Sequence, residues 1–366
     1  LLVRLSARGD IVFASPLIRA FRRAYPDAEL VWMAESHVSD LIEHHPELDD
    51  VIVVDRGGWK TLWKQRKFGR LLREVGALVR HLRRRNFDVA IDLQGLLRSG
   101  VLTYLSGAPV RIGLGSKEGS GAFMTEVLSR IEGDRRQIGT EYRHLAERAG
   151  LDVGEYQMEV PLAEKDRAWA EQKQKDLGLT EGFCVVLPFT TTPQKHWREH
   201  RWAQLVGRVE EDLGLPCVVL GGPDDEEALE RIQSQASGSL VSLVGETSLT
   251  QASAMVERAA LVIGVDTGLS HMAIAFDRPT VTIFGSNIPY TKTPSPRAKV
   301  IVNWLDCSPC KGNPTCDGAF TCTEMIGVEQ VLETAREVLQ AAGGHDRAGN
   351  GGRGDAGPDG PGEGRS

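Results

Sequence analysis

The chain has 366 residues, 41% hydrophobic and 25% charged. That supplies apolar material for about two domains and excludes a wholly disordered or fibrous chain. Its 43 basic and 50 acidic residues leave a formal net charge of -7, which excludes a generally basic nucleic-acid binder. No run of about 18 apolar residues is present, so no membrane-spanning helix is expected. No leader pattern opens the sequence, and the chain reads as a nearly complete cytoplasmic protein.

In the first half, short apolar runs alternate with amphipathic ones. "LLVRL" predicts a strand, and a tight turn then leads into a helix from Pro16 to Tyr25. "ELVWMA" predicts a second strand, "VSDLIEHH" a helix, "VIVVD" a third strand, and Asp88 to Leu93 and Val110 to Leu114 two more. The charged stretch "EKDRAWAEQKQKDLG" predicts a helix near a linker within Leu151 to Gly182. From Phe183 the same grammar returns: "FCVVLPF", "PCVVLGG", "LVSLVG", "LVIGVD" and "TVTIFG" as strands, with helical runs between them. Strands alternating with helices indicate parallel sheets. The expected fold class is therefore α/β, with two Rossmann-like domains, 1–160 and 161–342, facing across a cleft. Ligands are expected at the carboxyl ends of the strands. Residues 343–366, rich in Gly with scattered Asp, Arg and Pro, are expected to form a disordered tail.

Five places carry residues suited to chemistry. In "RLSARGD", Gly9 permits close backbone approach, and Asp10 heads the next helix, either capping it or facing the cleft. No G-x-G-x-x-G follows strand one, which argues against a nicotinamide or flavin dinucleotide. In "LPFTTTPQKHW", the hydroxyls of Thr191 and Thr192 and the cation of Lys195 suit phosphate oxygens. "GGPDDEE" places carboxylates over the same edge, where they also suit the first turn of a helix. In "IGVDTGLSHMAIA", a buried strand runs into Asp266, Thr267 and Gly268. A helix then starts whose amides suit an anion, with His271 in its first turn. An aspartic protease would need a second Asp-Thr/Ser-Gly copy, and none exists.

The stretch from Arg56 to Arg85 holds eleven Lys and Arg against the single Glu74, with Trp59 and Trp63 interleaved. This is either a solvated helix face or a surface for phosphorylated lipid. Cys184 and Cys217 sit singly in apolar runs as core residues. Cys307, Cys310, Cys316 and Cys322 cluster on a Pro/Gly-rich loop, leaving open a structural zinc, two disulfides or reduced thiols.

Together the ordered motifs "RLSARGDIVFASPLIRAFRRAYPDA", "DVAIDLQGLLRSG", "PFTTTPQKHWREHRWAQL", "VVLGGPDDEE", "LVGETSLTQASAMVERAALVIGVDTGLSHMAIAFDRPTVTIFG" and "DCSPC" resemble the family 9 glycosyltransferases, the heptosyltransferases of lipopolysaccharide core assembly. The likeness runs from about Leu1 to Leu339. It implies a GT-B fold, with acceptor binding in the first domain and nucleotide-sugar binding in the second, and inversion at the anomeric carbon with no cofactor and no required metal. The implied donor is ADP-L-glycero-D-manno-heptose and the implied acceptor a phosphorylated lipid A–Kdo core. The implied location is the inner face of the inner membrane, as a peripheral protein, with no nucleic acid involved. Another nucleotide sugar or acceptor on the same fold, or a nucleotide-sugar epimerase, is the alternative.

By the resemblance, Asp10 matches the general base, with Ser6 and Gly9 in its turn. Lys195, Thr191 and Thr192 match the group that steadies the departing diphosphate. Asp266, Thr267, Gly268 and His271 match the donor's phosphate and sugar site, and Glu226 the nucleoside contact. Ser6, Arg56, Lys60, Lys64 and Arg98 are the expected acceptor contacts. One departure stands out: many relatives carry Thr-Asp-Pro after "FG", whereas Ser286, Asn287, Ile288 and Pro289 follow here.

Overall fold

The computed structural model describes residues 1–130, 134, 136–287, 290–310 and 315–349. Its strands are β1 (Leu2–Val3), β2 (Val31–Glu35), β3 (Asp50–Val54), β4 (Val89–Asp92), β5 (Val110–Leu114), β6 (Glu126–Leu128), β7 (Cys184–Leu187), β8 (Cys217–Val219), β9 (Leu240–Ser242), β10 (Leu261–Val265), β11 (Thr280–Phe284) and β12 (Ala298–Val302). They form two six-stranded parallel sheets, ordered β3-β2-β1-β4-β5-β6 and β12-β11-β10-β7-β8-β9. Counted within each half, both orders read 3-2-1-4-5-6, the doubly wound Rossmann arrangement. Central strands such as β10 are buried at every residue, because helices cover both faces of such a sheet. Cys184 and Cys217 are fully buried and lie opposite each other in the β7/β8 register, as core residues.

The helices are α1 (Arg8–Ala14), α2 (Pro16–Ala24), α3 (Arg56–Lys64), α4 (Phe68–Arg84), α5 (Leu97–Leu105), α6 (Thr140–Arg148), α7 (Glu164–Asp176), α8 (Glu199–Leu213), α9 (Glu226–Gln233), α10 (Leu249–Arg258), α11 (Gly268–Ala275), α12 (Thr321–Glu324) and α13 (Val328–Gly349). Several differ from expectation. The turn expected before Pro16 is instead α1, followed at once by α2. "VSDLIEHH" holds only a 3₁₀ turn, Ser39–Leu41. Pro46 disfavours helical backbone at His45. The buried His45 ring also lies 2.9 Å from Glu159, far along the chain, so a tertiary contact prevails over local helix periodicity. The edge strands β6 and β12 and the final two helices were not among the expected elements. Helix α13 packs Val331, Leu332, Ala335 and Val338 into the second core. It runs on to Gly349, so residues 343–349 of the expected tail are helical. The remainder of that tail lies outside the described residues.

Glu159 pairs with Arg19 and His45 of the first half, and Arg167 pairs with Glu257 of the second. The halves meet directly where α1 packs against α11. The Phe13 ring lies 4.6 Å from that of His271. Gly9 is required there, because a Cβ would stand 2.5 Å from the His271 ring. Gly268 does the same from the other side, facing the Cβ of Arg8. A backbone bridge, Ile138 N–H to Lys292 O at 3.0 Å, ties the segment before α6 to the loop after β11.

Candidate active site

The carboxyl ends of β1, β7 and β10 open onto one cleft of about 690 Å³ between the halves. Asp10, Thr191, Lys195, Asp266, Thr267, Gly268 and His271 all line it. Ends of strands that flank the first strand of a doubly wound sheet are where such folds bind ligands, because the chain leaves them in opposite directions and opens a crevice.

The second half builds a buried charged network around Asp266. Oδ2 accepts from the Lys195 ammonium at 2.7 Å and from Asn287 Nδ2 at 2.7 Å. Oδ1 lies 3.2 Å from His271 Nε2. Burial alone would push the Asp266 carboxyl up. The hydrogen bond and charge of His271, joined by those of Lys195, instead hold it well below the usual carboxylate range. His271 Nδ1 is 2.8 Å from the Tyr290 hydroxyl. Burial pushes the Tyr290 phenol well up, so it stays protonated. Nε2 of His271 thus faces Asp266, and Nδ1 faces the Tyr290 hydroxyl. Lys195 is carried into place by the 3₁₀ turn Pro193–Lys195 and also donates to the Asp266 carbonyl at 3.3 Å.

Across the cleft, Asp10 is the third residue of α1. Its Oδ2 accepts the Ala7 amide at 3.3 Å and the Arg4 guanidinium. Oδ1 makes no hydrogen bond or ion pair among the described residues, and the carboxylate stays about one-third exposed (36%). Asp10 therefore both caps α1 and presents an oxygen to the cleft. Ser6 Oγ accepts from Arg98 at 3.2 Å and from Gln94 at 3.3 Å, so Ser6 and Arg98 meet. Arg56 is engaged by the buried Glu35 at 2.6 Å. His37, which lines the cleft, is 3.6 Å from the same carboxylate. Lys60 and Lys64 stand exposed on α3, away from the cleft.

None of the five expected acceptor contacts lines the cleft, and two expected donor-side residues also fall elsewhere. Thr192 does not line the cleft; its carbonyl closes the turn onto the Lys195 amide at 2.9 Å, while Thr190 and Thr191 line the wall. Glu226, the first residue of α9, faces Gly245. Asp224 and Asp225 take the cleft position instead, because the preceding 3₁₀ turn, Pro223–Asp225, shifts the register. Three residues were missed. Arg8 lines both the cleft and the adjoining pocket formed by Gly221, Gly222, Thr247 and Thr267, and it forms no ion pair among the described residues. Asn287 and Tyr290 reach the network from the loop that departs from the family pattern. Ile288 and Pro289 lie outside the described residues. Only Arg8 had a local signal, its place inside "SARGD"; the other two arrive through the path of the loop.

The four clustered cysteines line one small cavity of about 10 Å³, with Gln194 and Ser286 beside it. All four are free thiols. Burial pushes Cys322 up, and the neighbouring Cys307 and Cys310 add to it. Among the described residues, no three His, Cys, Asp or Glu side chains are arranged to hold a metal ion.

The model of "Glycosyltransferase family 9 (heptosyltransferase)" matches residues 75–319. The chain belongs to glycosyltransferase family 9. It is 28% identical over 296 residues to "Lipopolysaccharide heptosyltransferase 1" of Escherichia coli K12, covering 79% of this chain and 88% of that protein. It is 25% identical over 349 residues to "Lipopolysaccharide heptosyltransferase 2" of Salmonella typhimurium, covering 92% and 97%. Among solved structures, a family 9 glycosyltransferase from Veillonella parvula superposes with a TM-score of 0.76 at 23% identity over 93% of this chain and 96% of that one. The family 9 assignment makes the chain a glycosyltransferase, and the shared fold is GT-B, as expected. No helix among the described residues is long and apolar enough to cross a membrane.

Proposed function

We propose that the chain transfers heptose from ADP-L-glycero-D-manno-heptose to the lipid A–Kdo inner core in lipopolysaccharide biosynthesis, with inversion and without a required metal. One observation carries this reading: a partly exposed carboxylate, Asp10, faces a buried cation-and-imidazole network across a single cleft between two Rossmann-like halves. The names of the relatives, and a neighbour described as "E. coli heptosyltransferase WaaC with ADP", support the donor and acceptor classes.

In this mechanism the acceptor hydroxyl enters from the first half, where Oδ1 of Asp10 takes its proton as attack begins. A neutral hydroxyl is a poor nucleophile, and a positioned carboxylate raises its reactivity. The donor lies against the second half. Negative charge grows on the diphosphate as the sugar bond breaks, and Lys195, Arg8 and the amides at the start of α11 meet it. These fixed cations and dipoles do the work that a divalent ion does elsewhere. Attack from the face opposite the leaving group inverts the anomeric carbon. Ser6 and Arg98 hold the acceptor's anionic groups near Asp10. The basic α3–α4 region keeps the enzyme at the inner face of the inner membrane, where the acceptor resides. The four cysteines are structural, clamping the loop after β11 that delivers Asn287 and Tyr290.

Product mass spectrometry tests the reading directly. The enzyme is incubated with ADP-heptose, other nucleotide sugars, and Kdo-lipid A acceptors with and without a first heptose. A mass gain of one heptose only with the ADP sugar, in the presence of chelator, is the expected result. Turnover of nucleotide sugar without any acceptor would point instead to an epimerase.

A further inference from the structure

We propose that α3, α4 and the turn joining them form a membrane-docking edge, in which Trp63, Phe68 and Leu72 insert into the interfacial layer of an anionic bilayer while the surrounding Lys and Arg side chains engage its headgroups. The proposal deepens the reading above, because it rests on an acceptor anchored in a lipid surface.

Three large apolar side chains stand out of the surface together. Leu72 is 73% exposed, Trp63 64% and Phe68 44%. The Trp63 and Phe68 rings meet edge to face, 5.1 Å between centroids. Phe68 and Leu72 are four residues apart on α4 and so share a face. The core contacts of α4 lie about three turns further along the helix. Leu82 is the buried residue of that helix, and Leu78 packs with Trp59 against the first sheet. The helix thus has an apolar anchor in its second half and an exposed apolar ridge at its start.

The charge around the ridge says what covers it. Eleven cations lie between Arg56 and Arg85. The structure neutralises three of them: Arg56 on Glu35, Arg70 on Glu74, and Arg85 on Glu29 and Asp50. The other eight form no ion pair among the described residues. Lys60, Lys64, Arg66 and Lys67 flank Trp63 and Phe68 directly. At about 100° per residue, Arg80 and Arg83 return within about 80° of Leu72 around the helix. An apolar ridge ringed by unpaired cations, on a chain of net charge -7, complements a surface that is anionic outside and apolar beneath. Exposed aromatic and leucine side chains gain by entering that boundary, while lysine and arginine stems reach its phosphates. The start of α3 also links back to the cleft wall. Helix α3 begins just after β3, its first residue Arg56 holds Glu35 at the end of β2, and His37 beside Glu35 lines the cleft. An enzyme docked here leaves acyl chains in the bilayer while the saccharide reaches Asp10.

The test uses the full chain and vesicles of phosphatidylethanolamine with phosphatidylglycerol, set against phosphatidylcholine alone. Flotation is measured at about 0.1 M and about 1 M salt, where screening lengths are about 10 Å and about 3 Å. The wild type is expected to bind the anionic vesicles and to retain a salt-resistant fraction. The triple variant Trp63→Ser, Phe68→Ser, Leu72→Ser is expected to lose that fraction, binding about tenfold or more weakly at high salt. Its melting temperature and its turnover on an acyl-free, water-soluble acceptor should match the wild type. Bromine-labelled acyl chains should quench tryptophan fluorescence in the wild type and less so in Trp63→Phe. Equal vesicle affinity of triple variant and wild type overturns the proposal, as does wild-type binding that vanishes at high salt without quenching. Loss of self-association in the variant with vesicle binding intact also overturns it, and makes the ridge a contact between copies of the chain. Vesicle binding is read without turnover, so a wild type that docks but transfers no heptose sinks the functional reading and not this one.

Discussion

The two halves share a strand order, yet they use the same position in opposite ways. Asp92 ends β4 and Asp266 follows β10, the fourth strand of each sheet in the 3-2-1-4-5-6 count. Asp92 is buried with neutral donors: the amides of Gln94 and Gly95, each at 2.9 Å, and the Ser99 hydroxyl at 2.9 Å. Burial outweighs these bonds and pushes its carboxyl up. Asp266 is as deeply placed, but Lys195 and His271 face it and its carboxyl is driven down. The first aspartate shapes the turn into α5; the second gathers a lysine and an imidazole at the cleft wall. Topology puts an aspartate at the end of the same strand in both sheets, and the neighbouring side chains decide its charge environment. The difference extends to the cleft walls. The second-half wall is a closed charged network, whereas the first-half wall leaves Oδ1 of Asp10 without a hydrogen-bond partner among the described residues.

The largest expected effect breaks the open wall. Asp10→Asn should lower turnover by about 10²–10⁴-fold, while calorimetry shows ADP affinity within about twofold of wild type. Turnover near the wild-type level would leave Asp10 as only the cap of α1.

The paired aspartates come next. Asp266→Asn strands the Lys195 ammonium in a buried site, and removing one partner of a buried pair costs about 3–5 kcal/mol. Asp92→Asn removes no cation's partner and should change unfolding free energy by about 1 kcal/mol or less. Urea unfolding of the two variants checks the contrast. Equal losses would mean that both sites are merely structural.

The acid limb of stability sharpens the same point. The folded carboxyl of Asp266 lies below its unfolded value of about 3.9, so below that pH the unfolded chain binds the extra proton first. Its contribution is present above about pH 4 and is lost as pH falls through the lower folded value. The melting temperature should therefore drop on acidification below about pH 4, and the drop should be shallower in Asp266→Asn. An identical slope in both proteins would remove Asp266 as its source.

Tyr290→Phe should have the smallest effect. It deletes one buried hydrogen bond to His271, worth about 1 kcal/mol, so turnover should fall about fivefold with the fold intact. Steady-state turnover of the variant checks this. An unchanged turnover would leave Tyr290 as packing for Phe13 and Phe284, whose rings lie 5.8 Å and 5.1 Å away.

Much of this was legible in the linear chain. Buried β runs without charge, separated by amphipathic stretches, determine two parallel sheets, because only strands covered on both faces read that way. Asp10, Lys195, Asp266 and His271 stand directly after strands, and the carboxyl ends of strands in such sheets meet at one edge. Placement that depends on a turn's register was not legible: Asp225 lines the cleft where Glu226 was expected, because the 3₁₀ turn Pro223–Asp225 precedes α9, and Thr192 instead caps the turn Pro193–Lys195. Tertiary structure alone decided the rest. Asn287 and Tyr290 join Asp266 from a loop tied across to the first half. The same carboxylate side chain becomes a neutral-bonded turn anchor at Asp92 and an ion-pair centre at Asp266, because an aspartate's charge state is set by what surrounds it in space, which strand periodicity does not encode.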